Sequence, residues 1–164
     1  FYHYFSSKER FGEALLTRYT ATYLEQLDRL LRADGTPART RLMRYWSHWN
    51  LSQCDSTAPG CSTPGGNGKC LIVKLSAEVA DISEAMRLAL RDGTEQVVQR
   101  IARCIDEGRA DGSVPAALQP HDTALTLYEL WLGASLLAKL RRDASAFDHA
   151  LRSTEQLLGA PQPA

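Results

Sequence analysis

The chain has 164 residues, 44% of them hydrophobic, and carries 19 basic against 19 acidic side chains. That is enough apolar material for one domain with a full core. The neutral balance excludes a protein that binds nucleic acid over its whole surface. No apolar run is long enough to span a bilayer, and no signal peptide is visible. Cys54, Cys61, Cys70 and Cys104 form an even set. A long helical chain with its own core needs no covalent staples, so reduced thiols in a cytoplasmic protein are expected.

Apolar periodicity is helical throughout, with no alternating strand segment. Ser6 and Glu9 form an S-x-x-E capping box that starts a helix at Ser7. Phe11, Leu15, Tyr19, Tyr23, Leu27 and Leu30 are its stripe, and Asp34-Gly35 ends it after Ala33. Thr36-Pro37 opens a second helix, as N-cap and first-turn proline, carrying Leu42, Tyr45, Trp46 and Trp49 and fading near Gln53. Residues 54–69 are rich in Gly, Pro, Ser and Thr and read as a loop. Helical pattern resumes at Cys70, bends at Asp81 or Ile82, and continues through Met86, Leu90, Val97, Ile101 and Ile105, with Gly93 a weak point. A polar connector from Gly108 to Pro120 has apolar spots at Val114 and Leu118. Asp122–Arg142 forms a helix with Leu125, Tyr128, Leu132, Leu136 and Lys139 on one side. A last helix carries Phe147, Leu151, Leu157 and Leu158 and stops at Gly159.

Cys70 is the residue best placed for chemistry. It stands at an expected helix N-terminus, where unpaired N–H groups and the helix dipole favour an anion. Lys69 adjoins it and Lys74 lies about one turn on. All three effects favour the thiolate, which attacks electrophilic alkenes, hypochlorous species and peroxide. The plain alternative is a small buried hydrophobe. Lys139 shares the stripe of Tyr128, Leu132 and Leu136, so its stem is expected along buried surface. A desolvated amine there could condense reversibly with oxidised Cys70; the plain alternative is a snorkelling lysine. Cys54 and Cys61 flank the loop and could pair with each other or with Cys70, or be inert exposed thiols. Cys104 falls in register with Val97 and Ile101 and reads as a core thiol. A metal set of His48, Cys54, Cys61 and Cys70 is disfavoured, because the six and eight residues that separate the cysteines are not the tight spacing of zinc knuckles. No metal and no cofactor is expected. Tyr45, Trp46, Trp49, Tyr128 and Trp131 line an apolar pocket or pack as core.

The opening Tyr2-His3-Tyr4-Phe5-Ser6-Ser7-Lys8-Glu9 resembles the end of the recognition helix and the start of the next helix in TetR-family transcriptional repressors. Three further stretches are more specific: Phe11–Leu16, Cys70–Val79 and Leu127–Lys139. Together they resemble the NemR-type members, which respond to reactive electrophiles and oxidants through cysteine. The resemblance implies an all-α chain. Residues 1–9 would be a remnant of the helix-turn-helix DNA-binding domain, and residues 10–160 the regulatory and dimerisation domain. It also implies a homodimer through the last two helices and a repressor released from double-stranded operator DNA when the regulatory domain is modified. Tyr2, His3, Tyr4 and Lys8 match family positions that touch phosphates or bases; a lysine and free N–H groups at a helix start suit phosphate. The plain alternative is a surface aromatic cluster that holds the small domain to the large one, a part expected of Phe1 and Phe5. A repressor induced by an apolar molecule in the aromatic pocket is the alternative. A thiol-dependent enzyme is disfavoured, since no Cys-x-x-Cys, nucleotide loop or Ser/His/Asp set is present.

Overall fold

The computed structural model describes residues 2–53, 78–79 and 81–160, with side chains from residue 7 and up to residue 52 in the first stretch. Five helices are described: α1 (Tyr2–Leu30), α2 (Ala38–Gln53), α3 (Glu84–Ala110), α4 (Pro120–Arg141) and α5 (Ser145–Leu157). No strand occurs among the described residues, as expected. The third helix is the hub: it packs against α1, α2 and α4, and α4 in turn packs against α5.

The first helix runs without a break from Tyr2, so positions 6 and 7 lie inside it and no new helix begins at Ser7. Its inward row keeps the expected Leu27, with Tyr23 and Leu30 packed beside it, but departs from the expected stripe nearer the N-terminus. Leu16, Leu24, Leu27 and Leu31 are buried, while Phe11 is 69% and Leu15 53% exposed. Two apolar rows lie side by side on this helix, and periodicity alone does not say which one meets α3. Tyr19 and Tyr23 stack at the flank, with ring centroids 6.5 Å apart.

Gly35, with φ +86°, turns the chain toward α2. The orphan N–H groups at the start of α2 are capped by a distant segment. Asp111 Oδ2 accepts from Ala38 N at 2.9 Å, and Ser113 Oγ from Arg39 N at 3.1 Å. Thr36, the expected cap, instead bonds to Asp34 through its hydroxyl and its N–H. Ser83 caps α3, its hydroxyl accepting from Met86 N at 3.4 Å. The bend anticipated at Asp81 or Ile82 therefore falls at Ser83.

The α1 and α3 helices run parallel, since Gly12 meets Met86, Thr20 meets Gly93, and Asp28 bonds Arg100. Gly93 is a point of close approach: a β-carbon there would lie 2.9 Å from both Thr20 Cγ2 and Oγ1. Arg142, with φ 58°, closes α4 by donating its N–H to Ala138 O. Asp143 Oδ1 then accepts from Ser145 N and Oγ to start α5.

Candidate functional site

The aromatic residues singled out from sequence come together between α2, α4 and α5. Trp46 stacks on Trp131 at 5.1 Å and 10°, and Trp131 stacks on Phe147 at 6.1 Å. Trp49 meets Tyr45 and Tyr128 edge-on, each at 6.0 Å. Tyr45, Trp46, Trp49, Tyr128 and Trp131 are all buried in the main core. Packed against one another at these distances, they take the core arrangement that their helical spacing left open. The indole N–H groups of Trp49 and Trp131 are fixed as well. Trp49 Nε1 donates to Ser135 Oγ at 3.0 Å, and Ser135 Oγ donates to Trp131 O at 2.8 Å. Trp131 Nε1 donates to Thr154 Oγ1 at 3.0 Å. Trp46 Nε1 is buried without a hydrogen-bond partner.

Around this core, Tyr23 and Tyr45 share a hydroxyl–hydroxyl bond of 2.8 Å, and Gln26 Nε2 donates to His48 Nε2 at 2.6 Å. Thus His48 is engaged with α1. Among the described residues, no three His, Cys, Asp or Glu side chains gather as a metal site.

Arg41 was not anticipated from sequence. It is buried in the crook between α1, α2 and α3. Its Nη1 donates to Leu31 O at 2.7 Å and to Glu107 Oε2 at 2.8 Å, and its Nε to Thr36 O at 3.2 Å. Burial works to lower its pKa, but the Glu107 hydrogen bond and the Glu107 and Asp111 charges hold it above the ordinary arginine value. An arginine among apolar α2 residues is a weak sequence signal, since its partners lie on other elements.

Cys104 is the buried thiol expected, donating to Ala38 O at 3.7 Å. Burial pushes its pKa up to about 12, so it is not a nucleophile near neutrality. Cys54, Cys61 and Cys70 lie outside the described residues. The chain re-enters at Glu78 and Val79, and Val79 is buried with Leu16 of α1 and Leu90 of α3 in a small second core.

Lys139 does not follow its expected course along buried surface: it is exposed. The inward face of α4 is Thr123, Ala124, Leu127, Tyr128, Trp131, Ala134 and Ser135. Leu125, Leu136, Leu137 and Leu140 are exposed, so Lys139 shares the outward side of this helix. The helix is apolar on both sides, and only packing tells them apart.

Tyr2, His3 and Tyr4 lie in the first turn of α1, and their side chains are outside the described set, as are those of Phe1 and Phe5. Lys8 is exposed on the same helix. A surface groove of about 520 Å³ separates α1 and α3 between Glu13, Thr17, Thr20, Asp92 and Gln96. Among the described residues, no helix is long and apolar enough to cross a membrane.

Residues 41–154 match the family model described as "Tetracyclin repressor-like, C-terminal domain". The chain is 36% identical over 161 residues to the HTH-type transcriptional repressor NemR of Escherichia coli K12, covering 98% of this chain and 77% of that protein. It is 30% identical over 140 residues to the transcriptional regulator AcuR of Cereibacter sphaeroides, covering 85% of this chain and 60% of that protein. The crystal structure of the reduced form of E. coli NemR superposes with a TM-score of 0.83 at 37% identity, covering 98% of this chain and 79% of that one. With family model, relatives and helical architecture in agreement, the chain belongs to the TetR family, as a transcriptional repressor of the NemR type.

Proposed function

We propose that this repressor lets go of its operator when Cys70 is modified by a reactive electrophile or oxidant such as reactive chlorine, a quinone or an aldehyde. The observation that carries this is the burial of Val79 against Leu16 and Leu90. Val79 follows Cys70 along the same segment, and Leu16 belongs to the helix whose other end carries Tyr2, His3, Tyr4 and Lys8. A shift of the segment at Val79 presses on α1 and moves its DNA-reading end. The two reading heads of a dimer must match a rigid half-site spacing, so a small shift suffices to end binding.

Proposed partners of oxidised Cys70 are Cys54, Cys61 and Lys139; condensation of a Cys70 sulfenic acid with the Lys139 amine would release water. The protein works in the cytoplasm as a homodimer through α4 and α5, to which the exposed leucines of α4 contribute an apolar face. The relatives found are a transcriptional repressor and a transcriptional regulator, which supports action on operator DNA.

The test is a gel shift of the full-length repressor on duplexes that it selects from a random library, with and without hypochlorite or N-ethylmaleimide. Release of wild type but not of Cys70→Ser is expected. Equal release of both would move the sensor to Cys54 or Cys61, and no release of either would overturn the thiol switch. A second reading is a largely apolar inducer among Tyr45, Trp46, Trp49, Tyr128 and Trp131 that carries one acceptor for the unpartnered Trp46 Nε1. Quenching of tryptophan fluorescence by an inducer that also releases Cys70→Ser from DNA would support it.

A further inference from the structure

Methionine occurs twice in the chain, at Met43 and Met86. Met86 stands in the first turn of α3, and its thioether lies across α1 at Gly12. A β-carbon added at Gly12 would be 2.6 Å from Met86 Sδ and 2.7 Å from Cε, far inside van der Waals contact. Glycine at position 12 is therefore what lets the sulfur seat against the helix. This seat borders the second core of Leu16, Val79 and Leu90, on which Met86 and Ala89 pack. Buried residues of α1 enter the main core from Leu24 onward. Ahead of Leu24, α1 is held to α3 by this small core, with the groove of Thr17, Thr20 and Asp92 beside it. Met86 itself is partly exposed, so a small oxidant reaches it.

We propose that Met86 is a modification site for two-electron oxidants of the hypochlorous acid and peroxide class, and that its sulfoxide loosens the N-terminal half of α1 from α3. The thioether loses two electrons and gains one oxygen. An S–O bond forms; with hypochlorous acid the O–Cl bond breaks and chloride and a proton are released, and with hydrogen peroxide the O–O bond breaks and water is released. The product is polar and chiral where the thioether was apolar. Leu16, Val79, Ala89 and Leu90 have no polar side-chain group to offer it. To hydrate its oxygen, the side chain leaves the Gly12 seat and uncovers the second core. Oxidation at Met86 thus acts on the same contact that a change at Cys70 reaches through Val79. The biological sense of this site rests on the oxidant-responsive reading above, but its chemistry stands on the α1–α3 contact.

The two ideas separate in a Cys54→Ser, Cys61→Ser, Cys70→Ser background of the 164-residue chain. Equimolar hypochlorite is followed by peptide mapping and by hydrogen exchange of α1. Met86 is expected to oxidise, and exchange ahead of Leu24 to rise about tenfold. Methionine sulfoxide reductase should reverse the change. Met86→Leu, which keeps the volume of the contact, should abolish it. Oxidation of Met43 with Met86 untouched, an oxidised Met86 with unchanged exchange, or an equal response in Met86→Leu would each overturn the proposal. None of these outcomes depends on whether Cys70 is a switch, which the gel shift decides by itself.

Discussion

Replacing Arg41 by methionine isolates the polar work of one buried side chain, because methionine keeps most of the packing of the alkyl stem. Arg41 is 4% exposed and donates to two backbone carbonyls and one carboxylate. Leu31 O lies just beyond the last turn of α1 and is one of the orphan acceptors of a helix end. Each hydrogen bond from a charged donor is worth about 1.5–3 kcal/mol, and a buried acceptor left bare loses its share. Glu107 is 42% exposed, so water replaces the guanidinium there and the ion pair adds less than about 1 kcal/mol. The expected loss for Arg41→Met is about 3 kcal/mol, the low end for breaking a buried charged network. For a chain of this size that lowers Tm by about 6–12 °C. Circular dichroism melts at fixed protein concentration measure it, alongside Glu107→Gln, which should cost less than about 1 kcal/mol. A loss for Arg41→Met no larger than that for Glu107→Gln would refute the assignment of the energy to the carbonyls.

Three further outcomes are expected. Gly93→Ala should destabilise by about 1–2 kcal/mol despite alanine's better helix propensity, because its β-carbon strikes Thr20; in a Thr20→Ala background the same change should become neutral or stabilising in urea melts. The carboxyl of Asp111 is held below the ordinary value of 3.8: burial works the other way, but hydrogen bonds from Ser113 and Ala38 N outweigh it. A carboxylate with a depressed folded pKa stabilises above its unfolded value and loses that stabilisation as pH falls through the folded value. The urea midpoint should therefore drop on acidification below about pH 4, and drop less in Asp111→Asn; parallel curves for the two would sink the idea. Cys104, buried with its pKa near 12, should stay unreactive toward Ellman's reagent at pH 8 until urea unfolds the chain, and prompt labelling of the native protein would contradict its placement.

Much of the helical plan is legible in order and extent. Leu42, Tyr45, Trp46 and Trp49 are buried on α2, and Val97, Ile101, Cys104 and Ile105 on α3, as their three-and-four spacing requires. Val114 was readable as an apolar spot inside a polar connector, and it is buried against Gly108. What failed were choices between neighbouring rows. On α1 the row of Phe11 and Leu15 looks as apolar as the row of Leu16 and Leu24, yet faces outward. On α4 the Leu125 and Leu136 row, with Lys139, is exposed, while the smaller Ala124, Ala134 and Ser135 face inward beside Trp131. Both helices carry more apolar residues than one face needs. The site residues divide likewise: the aromatic set was visible because it recurs at helical spacing, whereas Arg41 and the Asp111–Ser113 cap join elements far apart in sequence and leave no local trace.

By itself the sequence determined the all-helical class, the helix order, the family and the thiols worth suspecting, because each is written in periodicity or contiguous motifs. Tertiary structure decided which face of α1 and α4 is inside, who caps α2, and that Gly12 and Gly93 are points where two parallel helices touch. Those are properties of pairs of elements, settled by which surfaces can approach to contact distance, and no single helix carries that information.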